Sequence, residues 1–291
     1  MARELKMTIG AINIKIHPHT PEKYVDLFED LLELKRRTKI RGDVYGSISR
    51  FNYIDPKNKI LGLKGYIFKY LNIDPNEPWF DVENEKVVDC ATMQGVEVLK
   101  TVKPHFSFFM YYFIPRYHRL FFTTYHNSKS ISPNSIAKFF TNMFYHPDLI
   151  EKYGEVDVII EPSIDGLEKI FAINTIERLE LVISKPNPDD HEEAEGKLLR
   201  RLRNINARSL KEEYVSERKE SIKPDEELLV LSKIAASNGY VYASGKDVDG
   251  KSVEESTLQH PLQENIWYSA DENPHDVFVV GANRMLDDIR R

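Results

Sequence analysis

Ten basic side chains against two acidic ones fall within residues 35–70, and this density is the clearest chemical signal in the sequence. Lys35, Arg36, Arg37, Lys39 and Arg41 crowd a predicted helix end and the loop after it, and Arg50, Lys57, Lys59, Lys64 and Lys69 carry the charge onward. Such a surface attracts phosphate backbones and gains free energy by releasing their condensed counterions. A second basic group, Arg116, His118 and Arg119, interrupts an aromatic stretch, and rings beside cations can stack bases and grip phosphates. A local explanation competes in each case. A helix that opens on Glu22, Asp26, Glu29 and Asp30 and closes on cations complements its own dipole. Paired aromatic strands usually bury their rings. The candidate nucleic-acid contacts are Arg36, Arg37, Lys39, Arg41, Arg50 and Lys64, with Arg116 and Arg119 as an extension of the track.

Other reactive groupings are weaker. Asp157, Glu161, Glu180 and Lys185 sketch a metal-dependent nuclease, but the acid-x-lysine step on the second strand is missing. Asp247-Val248-Asp249-Gly250 has the start of a calcium loop, yet Leu258 stands where the closing acid belongs, which favours a hairpin turn. His17 and His19 flank Pro18 without a carboxylate or thiolate to complete a metal shell. Cys90 is the only cysteine, which excludes an intrachain disulfide. No phosphate-binding glycine loop, dinucleotide fingerprint or serine-nucleophile elbow is present. No catalytic residue, metal or cofactor is assigned on these grounds.

The elements that must position these residues follow from periodicity and punctuation. Met7, Ile9, Ala11, Ile12, Ile14 and Ile16 predict a strand over 6–17, and Thr20-Pro21 predicts a capped helix to about Arg37. Val44–Ile54 and Lys59–Leu71 predict a hairpin across Asp55-Pro56-Lys57-Asn58. Residues 72–84 read as an acidic loop, and 85–99 as a short strand followed by helix or loop. Phe106–Phe113 and Leu120–Tyr125 predict two strands, Ser132-Pro133 starts a helix to about Tyr145, and Pro147 begins a turn. Beyond Gly154, strands are expected at 156–161 and 176–184, a strand or helix extension at 207–215, and helices at 165–173, 189–205 and 224–237. In the 189–205 helix, Lys197, Arg200, Arg201 and Arg203 form a solvated face, and Leu198, Leu199, Leu202 and Ile205 face the core. A second hairpin follows at 240–257.

This mixture predicts an α+β protein of two mixed halves with antiparallel hairpins, divided near residue 150. The halves differ in charge: residues 1–150 sum to +5 and residues 151–291 to −11. The first would meet nucleic acid, and the acidic second would repel it and serve dimerisation, regulation or docking. No apolar run is long enough to span a bilayer and no secretory signal opens the chain, so the expected location is cytoplasmic.

Five segments carry a resemblance: HPHTPEKYVDLF at 17–28, RGDVYGSISRF at 41–51, IDPNEPWFD at 73–81, PRYHRLFF at 115–122 and SNGYVYASGKDVDGKSVEEST at 237–257. They resemble an uncharacterised bacterial family found in phage-defence and mobile-element contexts. In layout and length the chain also resembles phage-exclusion proteins of the RexA type and the soluble partner of the Kiwa defence system. That resemblance implies a homodimeric DNA-binding component of anti-phage defence that acts with a second, often membrane-bound, component. It transfers no individual binding residue. The competing expectations are a metal-dependent nuclease with a non-standard site and a non-enzymatic module that docks only on proteins.

Overall fold

The longest strand of the protein is its first. β1 (Glu4–Lys15) is buried from Met7 to Lys15 because it lies in the middle of a sheet. On one side it pairs with β9 (Arg119–His126). On the other it pairs with β16 (Gln263–Ser269) along Glu4–Gly10 and then with β11 (Asp157–Ile160) along Ile12–Lys15. The sheet continues from β9 through β8 (Ser107–Ile114), β5 (Leu63–Leu71) and β3 (Val44–Ile48) to the edge strand β2 (Thr38–Arg41), every pair antiparallel. Short strands β4 (Asn52–Tyr53) and β10 (Lys129–Ser130) pair with β5 and β9. The computed structural model describes residues 3–17, 20–74, 77–88, 101–163, 165–186 and 192–290.

Helices cover the two faces of this sheet unequally. On the inner face, α1 (Pro21–Glu33), α2 (Pro133–Phe144) and α3 (Pro147–Tyr153) enclose a core of Phe28, Phe109, Tyr111, Phe113, Phe140 and Phe144. On the outer face α7 (Pro274–Ile289) packs Phe278, Ala282 and Met285 against Met7, Ile9, Met110 and Phe121. Gly281 permits that approach, since a Cβ there would lie 2.2 Å from Ile266 Cδ1 and 2.9 Å from Ile9 Cδ1.

A second lobe holds the four-stranded sheet β13 (Ser209–Val215), β12 (Thr175–Ser184), β14 (Gly239–Lys246) and β15 (Ser252–Ser256). It packs with α4 (Gly166–Phe171), α5 (Glu192–Asn204) and α6 (Glu226–Asn238) around Leu179, Leu181, Leu202, Ile234 and Val241. A small hairpin, β6 (Trp79–Asp81) with β7 (Lys86–Val88), stands apart. The protein is α+β with antiparallel hairpins, as its element order predicts. Among the described residues no helix is long and apolar enough to cross a membrane.

The chain does not divide at residue 150. β11 still belongs to the first sheet, the second lobe spans roughly α4 to β15, and the chain then returns, with β16 pairing to β1 and α7 covering the outer face. Such long-range pairing leaves no local trace in sequence, whereas the charge asymmetry does. Local expectations also shift, and Trp79–Asp81, within the segment read as an acidic loop, forms β6. The first helix ends at Glu33, not Arg37, because Lys35 adopts a left-handed φ of 46° and the buried Thr38 and Ile40 alternate with exposed Lys39 and Arg41 as a strand. Pro147 starts a helix instead of a turn. Ile205 lies just past α5 and is 63% exposed, outside the core. Cys90, His19, Asp189, Asp190 and most of the uncertain 85–99 segment lie outside the described residues.

Candidate nucleic-acid interface

The basic cluster and the outer sheet face meet at the β2–β3 edge. β2 pairs with β3 only as far as Gly46, where Thr38 stands opposite, so the flank of Ser47–Ser49 receives no strand partner from β2. The chain arriving from α1 diverges there and leaves a groove of about 620 Å³. Lys35, Arg36 and Arg37 line it from the helix exit, Ser47, Ser49 and Arg50 from the end of β3, and Phe68 from β5. Among the described residues Glu33 is the only carboxylate in its lining.

The predicted contacts separate into two kinds. Arg37, Lys39, Arg41 and Arg50 are exposed and form no ion pair among the described residues. Lys39 stands opposite Tyr45, which stands opposite Tyr70, so these three side chains share the outer face. Arg37 adds to this face: burial raises the Tyr70 hydroxyl pKa, and the nearby Arg37 charge opposes part of that rise. Lys64 joins the same face through β5. Burial depresses the His275 pKa, the nearby Lys64 charge depresses it further, and His275 Nε2 meets the Tyr66 hydroxyl. Arg36 has a different task. Its guanidinium donates to the carbonyls of Met143 (2.6 Å) and Tyr145 (2.9 Å), which caps the C-terminal end of α2 and ties it to the exit of α1. Burial lowers its pKa.

The second basic group divides between surface and interior. Arg116 sits on the turn at the far end of β8, with its guanidinium 5.6 Å from the Tyr117 ring centre. Arg119 is only 3% exposed and forms an ion pair of 2.6 Å with Glu161, itself 2% exposed. A cation buried in this way has no access to phosphate, so Arg119 leaves the list of surface contacts.

Arg119 belongs instead to a polar seam between the lobes that sequence reasoning missed. Lys15, at 0% exposure, reaches across from β1 and donates to Ser184 Oγ (2.9 Å), the Lys185 carbonyl (3.1 Å) and Asn238 Oδ1 (3.2 Å). Asn13 Nδ2 donates to the Ser237 carbonyl (3.2 Å) and its Oδ1 accepts from His118 Nδ1 (2.7 Å). His17 Nε2 donates to the Lys185 carbonyl (3.1 Å). Burial drives the Lys15 pKa down to about 8; Asp157, Glu161 and Glu195 oppose the shift and Arg119 adds to it. The signal in sequence was a lysine between Ile14 and Ile16 at the end of the predicted strand, a position that requires partners when buried.

The nuclease acids are dispersed. Asp157 pairs with Arg208 (3.2 Å) and faces Lys15, Glu161 pairs with Arg119, and Glu180 accepts from Lys211 (2.9 Å) and Tyr240 (2.8 Å) on another sheet. Among the described residues no group of three or more histidine, cysteine or acidic side chains is placed to hold a metal. The larger cavity, about 1050 Å³ in the second lobe, is lined by Glu193, Glu212, Asp225, Glu226 and Glu227 beside Lys197, Arg201 and Lys223, a balance unsuited to polyanions.

These features define a two-lobed α+β protein whose large antiparallel sheet carries a cationic edge and, on one face, exposed aromatic side chains. The chain belongs to a family described as a domain of unknown function, DUF4747, whose model matches residues 5–281. The match spans both lobes and the returning β16, so the family unit is the whole two-lobed arrangement. No curated protein matches the chain.

Proposed function

We propose that the protein binds nucleic acid without sequence specificity through the groove at the β2–β3 edge. The observation that carries this reading is the convergence of Lys35, Arg37 and Arg50 on one groove whose only carboxylate among the described residues is Glu33. Lys39, Arg41 and Lys64 extend the positive field around it. Exposed cations with no acidic partner contribute little to folding and remain available to phosphates. Arg36 also lines the groove, and on this reading its two bonds to the end of α2 commit it to fixing α1 against α2. The acidic second lobe, on this reading, turns away from the polymer and serves self-association or docking of a second component. A place in anti-phage defence fits the layout of exclusion and defence proteins with DNA-binding soluble components.

The test is fluorescence anisotropy of labelled duplex DNA, single-stranded DNA and RNA with the purified full chain at about 50 mM salt, where phosphate contacts are strong. Binding to at least one probe, lost in Lys35→Ala/Arg37→Ala/Arg50→Ala, is the expected result. Absence of binding to all three would refute the reading and leave the protein-docking alternative.

A further inference from the structure

We infer that the preferred ligand is a single strand, whose bases stack on an exposed aromatic platform beside the groove; the inference rests on the nucleic-acid reading above and names its substrate class. Strand alternation sends Phe109, Tyr111 and Phe113 into the inner core and Phe108 to the outer face. α7 covers the outer face only as far as His275, which lies against Tyr66 with ring centres 5.1 Å apart. Beyond it lie four rings, Tyr66 and Phe68 from β5, Phe108 from β8 and Phe106 from the residue just before β8. Tyr66 and Phe68 are nearly parallel at 6.4 Å, Phe68 approaches Phe106 at 5.5 Å, Phe106 approaches Phe108 at 6.4 Å, and Phe108 closes the circuit on Tyr66 at 5.2 Å. Phe106 is 54% exposed and Phe108 39%.

Leaving such rings in water forgoes burial that large aromatic side chains ordinarily obtain. Their chemistry fits a nucleic-acid base, which offers a flat π-face whatever its identity. Charge and position choose this occupant over a purely apolar partner. Phe68 belongs both to the ring circuit and to the lining of the groove that holds Lys35, Arg37 and Arg50, and Lys64 stands on the same face. A backbone held in the groove therefore delivers its bases to the platform. A duplex cannot use it, because its base faces are hidden in its own stack. Aromatic rings displayed on an antiparallel sheet beside cations are a general solution to single-strand binding.

The test compares a labelled single strand of about 12 nucleotides, within the span such sites engage, with a strand of equal length in which every base is replaced by an abasic spacer. The phosphates are the same and only the π-faces are lost. The normal strand is expected to bind at least about tenfold more tightly, since stacking on one ring is worth about 1–3 kcal/mol. Phe106→Ala/Phe108→Ala should lower affinity for the normal strand to the abasic level and leave abasic and duplex binding unchanged. Phe106→Tyr/Phe108→Tyr, which keeps the rings, should retain the preference. Equal affinity for normal and abasic strands would overturn the platform while the groove reading survives. So would an alanine variant that binds the normal strand like wild type but loses a wild-type dimer on sizing, because the rings would then be a contact between copies. No binding to any probe would overturn both.

Discussion

Arg37 and Arg119 are the same residue type in the same half of the chain, yet they work in opposite surroundings. Arg37 lies at the open β2–β3 edge with no ion pair among the described residues. Arg119 is buried between lobes, with Glu161 2.6 Å away and Lys15 feeling its charge. At the edge a cation remains hydrated and costs folding almost nothing, so its charge is free for a partner. At the seam, desolvation is severe, so each charge must be matched within the protein and none is left for a ligand. Accessibility, more than residue type or local density, separates a binding cation from a structural one. Arg36 lies between these cases, part-buried and engaged with the end of α2.

The largest effect that would sharpen this contrast is expected at the seam. Arg119→Met leaves the Glu161 carboxylate buried without its ion-pair partner and should cost about 3–5 kcal/mol in a urea denaturation curve. A loss below about 1 kcal/mol, the range of surface pairs, would erase the distinction. Next, Lys35→Ala/Arg37→Ala/Arg50→Ala should weaken nucleic-acid binding by an order of magnitude or more yet shift stability by only about 0.5 kcal/mol per site. Substantial unfolding of this variant would show that the edge cations are structural too. Arg36→Ala removes two bonds to the α2 end and should destabilise by about 1–3 kcal/mol, with the salt dependence of binding unchanged.

The smallest expected effect is one of pH. Lys15 holds its proton less tightly in the folded protein (pKa about 8) than in the unfolded chain, where lysine titrates near 10.5. Between those values the unfolded state binds more protons, so this group makes stability rise with pH from about 8 upward. Lys15→Met should flatten the rise between about pH 8 and 9.5, below the range where tyrosines ionise. Denaturation midpoints across that range measure it, and an equally steep rise in the variant would remove Lys15 as the cause.

Much of the fold was legible because its signals are local. The alternation of β1, the Thr20-Pro21 and Ser132-Pro133 helix starts, and the proline turn at Asp55–Asn58 all produce their elements as read. The basic cluster was equally legible as a cluster. What sequence could not separate was Arg116 from Arg119, three residues apart, one exposed on a turn and the other buried opposite Glu161. Nor could it show which rings of Phe106–Phe113 remain in water. That depends on α7 stopping at His275, and α7 reaches the sheet only through a return of chain from residue 263. Lys15 and Glu161 meet for a similar non-local reason, through the pairing of β1 with β11 and the arrival of the second lobe.

The most direct test of the central claim, that the open-edge cations are the ones that meet phosphate, is the slope of log affinity against log salt for wild type and for Lys35→Ala/Arg37→Ala/Arg50→Ala, from about 50 to 200 mM. Three lost contacts should reduce the slope by about 2 on a single strand and by nearly 3 on a duplex. An unchanged slope in a folded variant would mean that phosphate is held elsewhere, and the contrast between edge and seam would no longer explain binding.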